Sequence, residues 1–171
     1  MLLNALVIRD FSFSKIGLSS YGGAIGLLIG SVIFEKMCPS NKTFIKGAII
    51  SLPLIYSISK LACFFAGCCF GLPYDGLFSV TYTSGLNIPL IPVQLIETIT
   101  FMIIFIICVS LQKNKMVAGI TIALSALAKF LLDFLRYNHL EEKISLNQII
   151  SIVFVIIGIC LIIKRRKEYE H

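Results

Sequence analysis

Charge is scarce in this 171-residue chain. Asp, Glu, Lys and Arg supply 14% of it, against 57% hydrophobic residues and a mean hydropathy of +0.93. Soluble domains carry about 25% charged residues. The shortfall excludes a separate soluble domain and indicates an integral membrane protein. Histidine is nearly absent. Of the two present, only His139 falls near the apolar runs, so a Cys–His dyad has little support. Aromatic and basic residues do not interleave, which argues against nucleic-acid binding. The net charge of +6 reads instead as membrane topology and contact with anionic lipid. No CxxC occurs, and the adjacent pair Cys68–Cys69 could close only a strained ring. Internal repeats and low-complexity tracts are also missing. The first 13 residues, MLLNALVIRDFSF, are too short to span and show no small-residue cleavage site, so they read as an interfacial segment rather than a signal peptide.

Long apolar runs are what the sequence does have. A spanning helix needs about 20 mainly apolar residues. Five runs qualify, over residues 17–36, 45–69, 92–111, 116–136 and 147–164. The expected fold is an all-α integral membrane protein with about five transmembrane helices. Its parts are an interfacial segment over 1–15, one transmembrane domain over 16–166 and a cytoplasmic tail over 167–171. Charge orients it. With the tail inside and the N-terminus outside, nine basic residues lie inside: Lys36, Lys42, Lys46, Lys113, Lys115, Lys164, Arg165, Arg166 and Lys167. Four lie outside: Arg9, Lys15, Arg136 and Lys143. That bias follows the positive-inside rule of the cytoplasmic membrane. The longest connection, 72–91, then lies outside. Its LFSVTYT stretch alternates between Gly76 and Gly85 and predicts a short strand or hairpin.

Polar residues inside a membrane are expensive and tend to be functional. Here they gather at one end of the spans. Tyr21, Gly22 and Gly23 stand near the outer end of the first. Lys60, Cys63, Cys68 and Cys69 lie toward the outer end of the second. Gln94 and Glu97 open the third, and Lys129, Asp133 and Arg136 lie late in the fourth. The last three are spaced i, i+4 and i+7, one face of a continuing helix. Each has a plainer explanation. Lys60 could snorkel to head groups, the charged face could join helices, and Tyr21 could sit in an interfacial belt. The glycines could be packing notches, and the thiols could be small apolar side chains. Glu97 is the hardest to explain so, because a carboxylate in a span needs a cationic partner. Lys60, Lys129 and Arg136 are the candidates.

The stretches SSYGGAIG, SKLACFFAGCCFG, IPVQLIE and LAKFLLDFLRYN with ISLNQIISI, taken in this order over roughly residues 14–166, resemble the prolipoprotein diacylglyceryl transferase family. That family has a His-Gly-Gly segment, a Gly-Arg-x-Gly-Asn-Phe-x-Asn-Gly-Glu type stretch, His-Pro-x-Gln-Leu-x-Glu, and a late Arg-x-x-x-Glu-x-x-Arg helix. Against it, Tyr21 stands for the His, Lys60 for the signature Arg, Cys63 for the Asn, Cys68 for the following Glu and Lys129 for the first late Arg. The chain is also shorter than the family.

The resemblance implies transfer of a diacylglyceryl group from phosphatidylglycerol to a lipoprotein cysteine at the outer leaflet. Its implied partners are a phosphatidylglycerol-like phospholipid and a lipoprotein or other membrane acceptor. Expected catalytic residues are Cys68, Cys63, Lys60, Glu97 and Tyr21. Expected substrate-binding residues are Gly22, Gly23, Gln94, Lys129, Asp133 and Arg136. No metal or cofactor is expected. The thiols add an alternative, since an ammonium nearby favours a nucleophilic thiolate able to carry an acyl or glyceryl intermediate. Two further readings are a non-catalytic lipid- or partner-binding protein on the same scaffold and a thiol-redox membrane protein.

Overall fold

A computed structural model describes residues 20–37, 44–82, 87–137 and 144–170. The N-terminal segment, Cys38, Ser84, Gly85, His139 and Lys143 therefore lie outside the described residues. The described residues are mostly helical. Five helices occur among them: α1 Ser20–Met37, α2 Phe44–Phe65, α3 Val93–Ser110, α4 Val117–Asp133 and α5 Leu146–Glu170. Two short strands, β1 Val80–Thr81 and β2 Pro89–Leu90, pair antiparallel between α2 and α3. Among the described residues, three helices are long and apolar enough to cross a membrane: α2, α3 and the Leu146–Lys167 part of α5. The fourth run yields only 17 helical residues in α4, about 25 Å at 1.5 Å per residue. Their apolar faces are exposed along much of their length, Ile99, Ile103 and Ile106 on α3 among them, the pattern of helices that meet lipid.

The chain forms two compact units, Met1–Leu52 and Pro53–His171. In the first, the Ile45 N–H at the start of α2 donates to Glu35 Oε1 near the end of α1 at 2.9 Å. The Phe34 and Phe44 rings stack nearby with centroids 4.4 Å apart. In the second, α4 and α5 form the most extensive helix pair and α3 packs against α4. Small residues permit that closeness. A Cβ on Gly158 would come within 2.7 Å of the Ala123 backbone nitrogen, and one on Gly119 within 2.9 Å of the Gly158 carbonyl.

The second helix stops four residues earlier than its apolar run. The Cys68 N–H bonds the Cys63 carbonyl and the Gly67 N–H bonds the Phe64 carbonyl, each at 3.2 Å. Gly67 sits at φ 60. This nested pair with a left-handed glycine is a Schellman cap. Gly67 therefore does not share the helical face of Lys60 and Cys63. The fourth helix also ends early, at Asp133. Arg136 does not continue its face. The residue lies in a turn past the helix, its N–H on the Asp133 carbonyl at 3.1 Å, and forms an isolated antiparallel bridge with Gly71, with Leu72 N–H donating to Leu135 O at 2.9 Å and Tyr137 N–H to Phe70 O at 3.1 Å. On its other side, residues 72–74 bond β2 and its flank, through Ile91 N–H to Leu72 O and Tyr74 N–H to Pro89 O, both 3.0 Å. Gly71 is required there, since a Cβ would collide with the Ile91 carbonyl. Of the strand expected over 77–83, the described residues pair at Val80–Thr81. Gly76 turns the chain before it, with the Ser79 N–H on the Gly76 carbonyl at 2.9 Å. The turn leaves Leu77 and Phe78 exposed.

Candidate functional site

Four segments of the second unit converge on one carboxylate. Lys60 and Tyr56, one turn apart on α2, face Glu97 on α3. Lys60 Nζ lies 3.3 Å from Glu97 Oε2, and Tyr56 Oη donates to Glu97 Oε1 at 2.9 Å. The Arg136 guanidinium reaches the same carboxylate through Nη2, at 2.9 Å from Oε1 and 3.2 Å from Oε2. Its Nε lies 3.6 Å from Asp133 Oδ1, a charge contact too long for a hydrogen bond. Lys129 on α4 donates to Tyr56 Oη at 2.9 Å and sits 4.4 Å from the centroid of the Tyr56 ring; Lys60 lies 5.2 Å from the same centroid. Both cations thus use the ring face.

Burial makes this arrangement costly. Glu97 is 1% exposed, Lys60 and Asp133 3%, and Lys129 9%. The Arg136 side chain is the most open, at 16%. Taking a charge out of water costs several kcal/mol even after relaxation, and an apolar cluster of this volume would cost nothing of the kind. The formal charges do not cancel. Lys60, Lys129 and Arg136 face Glu97 and Asp133, which leaves a surplus of one positive charge. A polar cluster with one surplus positive charge, most open at Arg136, is suited to a singly charged anion such as a phosphodiester.

Asp133 is held from behind. Ser145 Oγ donates to Asp133 Oδ2 in a short hydrogen bond, and the Ser145 N–H donates to Gln148 Oε1 at 3.2 Å. Gln94 makes its hydrogen bonds outside that network. Its Nε2 donates to the Cys68 carbonyl at 2.5 Å and its Oε1 accepts from Tyr82 Oη at 3.1 Å. It therefore ties the turn after α2 to the hairpin. Cys63 and Cys68 are half-buried and Cys69 is exposed. The Cys68 thiol is pushed up to about 12, first by burial and then by Cys69 and Cys63, every cause acting in the same direction. Tyr21, Gly22 and Gly23 belong to α1 in the other unit, where Gly23 is exposed.

The sequence pointed to Lys60, Gln94, Glu97, Lys129, Asp133 and Arg136, and the ion pairs, with the hydrogen bonds of Tyr56 to Lys129 and Glu97, bring all but Gln94 into one network. It did not point to Tyr56, the hub of two hydrogen bonds and two cation–ring contacts. The available clue was its position four residues before Lys60, hence on the same helical face. Ser145 was also missed, because a lone serine before an apolar run reads as nothing more than a helix start.

A family model described as prolipoprotein diacylglyceryl transferase matches residues 3–164. Among curated proteins, the chain is 28% identical over 164 residues to the phosphatidylglycerol–prolipoprotein diacylglyceryl transferase of Tolumonas auensis, covering 89% of this chain and 64% of that one. It is 26% identical over 169 residues to the enzyme of the same name from Francisella tularensis subsp. mediasiatica, covering 89% and 63%. The subsp. novicida enzyme is 25% identical over the same coverage. The chain thus spans less than two thirds of the length of these relatives. No solved structure matches it significantly.

Proposed function

The chain belongs to the prolipoprotein diacylglyceryl transferase family, and from that premise we propose that it moves a diacylglyceryl group from an anionic phospholipid to an acceptor thiol. Phosphatidylglycerol and a prolipoprotein, named for the relatives, are the donor and acceptor this reading takes over. All five helices cross the cytoplasmic membrane in this reading, with the 72–91 loop outside and the Lys164–Lys167 run inside, in keeping with the charge bias. The reaction then takes place at the outer leaflet.

One observation carries the reading: a buried network of three cations and two carboxylates with one surplus positive charge, most open to its surroundings at Arg136. In the transfer step the acceptor sulfur forms a bond to the glyceryl carbon. The bond from that carbon to its phosphate oxygen breaks, and its electron pair stays on the phosphate. The thiol proton leaves with the departing glycerol phosphate. Charge thus grows on the phosphate as the bond breaks, and cations fixed before the reaction stabilise it most at that moment. Arg136 contributes a planar fork; Lys60 and Lys129 act as point charges. Glu97 is engaged by Arg136, Lys60 and Tyr56, so its role is to position the cations rather than to take the proton. A covalent intermediate on Cys68 is less well supported, because the burial of that thiol favours its protonated form.

The test is transfer of label from phosphatidylglycerol to a lipobox peptide in vesicles. Wild type transfers the group, and Arg136→Ala, losing charge-assisted bonds of about 1.5–3 kcal/mol, falls roughly 10- to 150-fold. Retained binding of phosphatidylglycerol with no transfer to the peptide would mean a lipid-binding protein on the family scaffold.

A further inference from the structure

Three thiols outside the charged network converge. Cys63 lies in the last turn of α2, and Cys68 and Cys69 follow the cap. The three Sγ atoms all lie within 4.8 Å of one another, and all three thiols are free. The backbone works to bring them together. Gly67 and Cys69 both take φ 60 within three residues. For Cys69 that left-handed conformation costs about 1–3 kcal/mol, where glycine would cost little. The strain places a third sulfur beside two that the helix end already supplies. The turn is also anchored from outside by Gln94 Nε2 on the Cys68 carbonyl at 2.5 Å. Two of the thiols are half-buried and the third, Cys69, is exposed, so the cluster can be reached from solvent.

We propose that Cys63, Cys68 and Cys69 bind a soft d10 metal ion of the Zn2+ or Cu+ class, as a structural ion at the exit of α2. Thiolates select such ions over Mg2+ or Ca2+, which take oxygen ligands. With metal–sulfur bonds of about 2.3 Å, sulfurs around a tetrahedral or trigonal ion stand roughly 3.8–4.0 Å apart. Closing from 4.8 Å needs a shift of less than about 1 Å, within reach of a rotation of the exposed Cys69 side chain. Each ion binds three thiolates and releases three protons to solvent. A water from solvent completes a tetrahedral Zn2+ shell; Cu+ needs only the three sulfurs. The ion would clamp the turn that runs directly into residues 70–72, whose backbone is paired with residues 135–137 around Arg136. It would thereby stiffen one wall of the charged network while touching none of its side chains. This inference stands independently of the transfer reaction.

The test uses the full chain, purified in detergent under reducing, metal-free conditions. Zn2+, Cu+ and, as a spectroscopic probe, Cd2+ are added singly, and the desalted protein is analysed for metal per chain and for a thiolate-to-cadmium absorption band. One ion per chain is expected for wild type and for Cys160→Ser, with binding weakened at least about tenfold in Cys63→Ser and Cys69→Ser. A second readout needs no variant: Zn2+ should protect Cys69 from alkylation and leave Cys160 reactive. Equal metal retention in the Cys63→Ser, Cys68→Ser, Cys69→Ser triple variant overturns the proposal. So does alkylation of Cys69 at the same rate with and without metal, or a disulfide among the three whose reduction restores no metal binding.

Discussion

Replacing Glu97 by Gln changes the charge of the network while keeping its shape. Glu97 is 1% exposed and accepts from Tyr56 and Arg136, with Lys60 at 3.3 Å. An amide oxygen could still accept from Tyr56 and Arg136. The negative charge, however, is gone, and Lys60, Lys129 and Arg136 then face Asp133 alone. The surplus rises from one positive charge to two. Removing one partner of a buried ion pair costs about 3–5 kcal/mol. Because Gln preserves two hydrogen bonds, the expected loss is near the lower end, about 3 kcal/mol. Unfolding in mixed micelles on addition of dodecyl sulfate should report it. The same network predicts an asymmetry. Anionic phosphatidylglycerol should restore more stability to Glu97→Gln than to wild type, because it supplies the missing charge, whereas zwitterionic phosphatidylethanolamine should not. A loss under about 1 kcal/mol, or equal rescue by both lipids, would refute the reasoning and mean that Glu97 does not hold the cations together.

Three further outcomes follow from the same structure. Tyr56→Phe keeps the ring beneath Lys60 and Lys129 but removes the hydroxyl that joins Lys129 to Glu97; stability should drop by about 1–3 kcal/mol, and transfer activity should fall with the phospholipid KM altered. Gly71→Ala forces a Cβ against the Ile91 carbonyl; overpacking of about 1–3 kcal/mol is expected, together with loss of hydrogen-exchange protection at the Leu72 and Tyr137 amides. Leu77→Cys, at an almost fully exposed loop position, should react with an impermeant maleimide added outside intact cells, and labelling only after permeabilisation would reverse the proposed orientation.

The parts of this protein that could be read from its sequence are those where a local rule operates without competition. A charge within an apolar run is conspicuous, so Lys60, Glu97, Lys129 and Asp133 stood out, and each of the five apolar runs contains a helix. Helix ends were less visible. Hydropathy treats Cys68 and Cys69 as apolar and carries the second run through them, yet a left-handed Gly67 had already capped the helix at Phe65. Arg136 misled for a related reason. Its i+7 spacing from Lys129 fits a helical face, but the chain leaves the helix at Asp133 and pairs with Gly71, some sixty residues earlier. Such a long-range backbone pairing has no local pattern to announce it. Tyr56 was hidden differently, because an aromatic residue among aliphatics on a helix reads as packing until its neighbours are known.

The central claim is that the buried cations recognise an anionic phospholipid head group. Native mass spectrometry of the chain released from vesicles containing equal amounts of phosphatidylglycerol and phosphatidylethanolamine tests it most directly. Preferential retention of phosphatidylglycerol by wild type, its loss in Arg136→Met, and its persistence in Lys113→Met, where the lysine is exposed and remote in sequence, is the predicted result. Equal retention of the two lipids, or a preference that survives Arg136→Met unchanged, would contradict it.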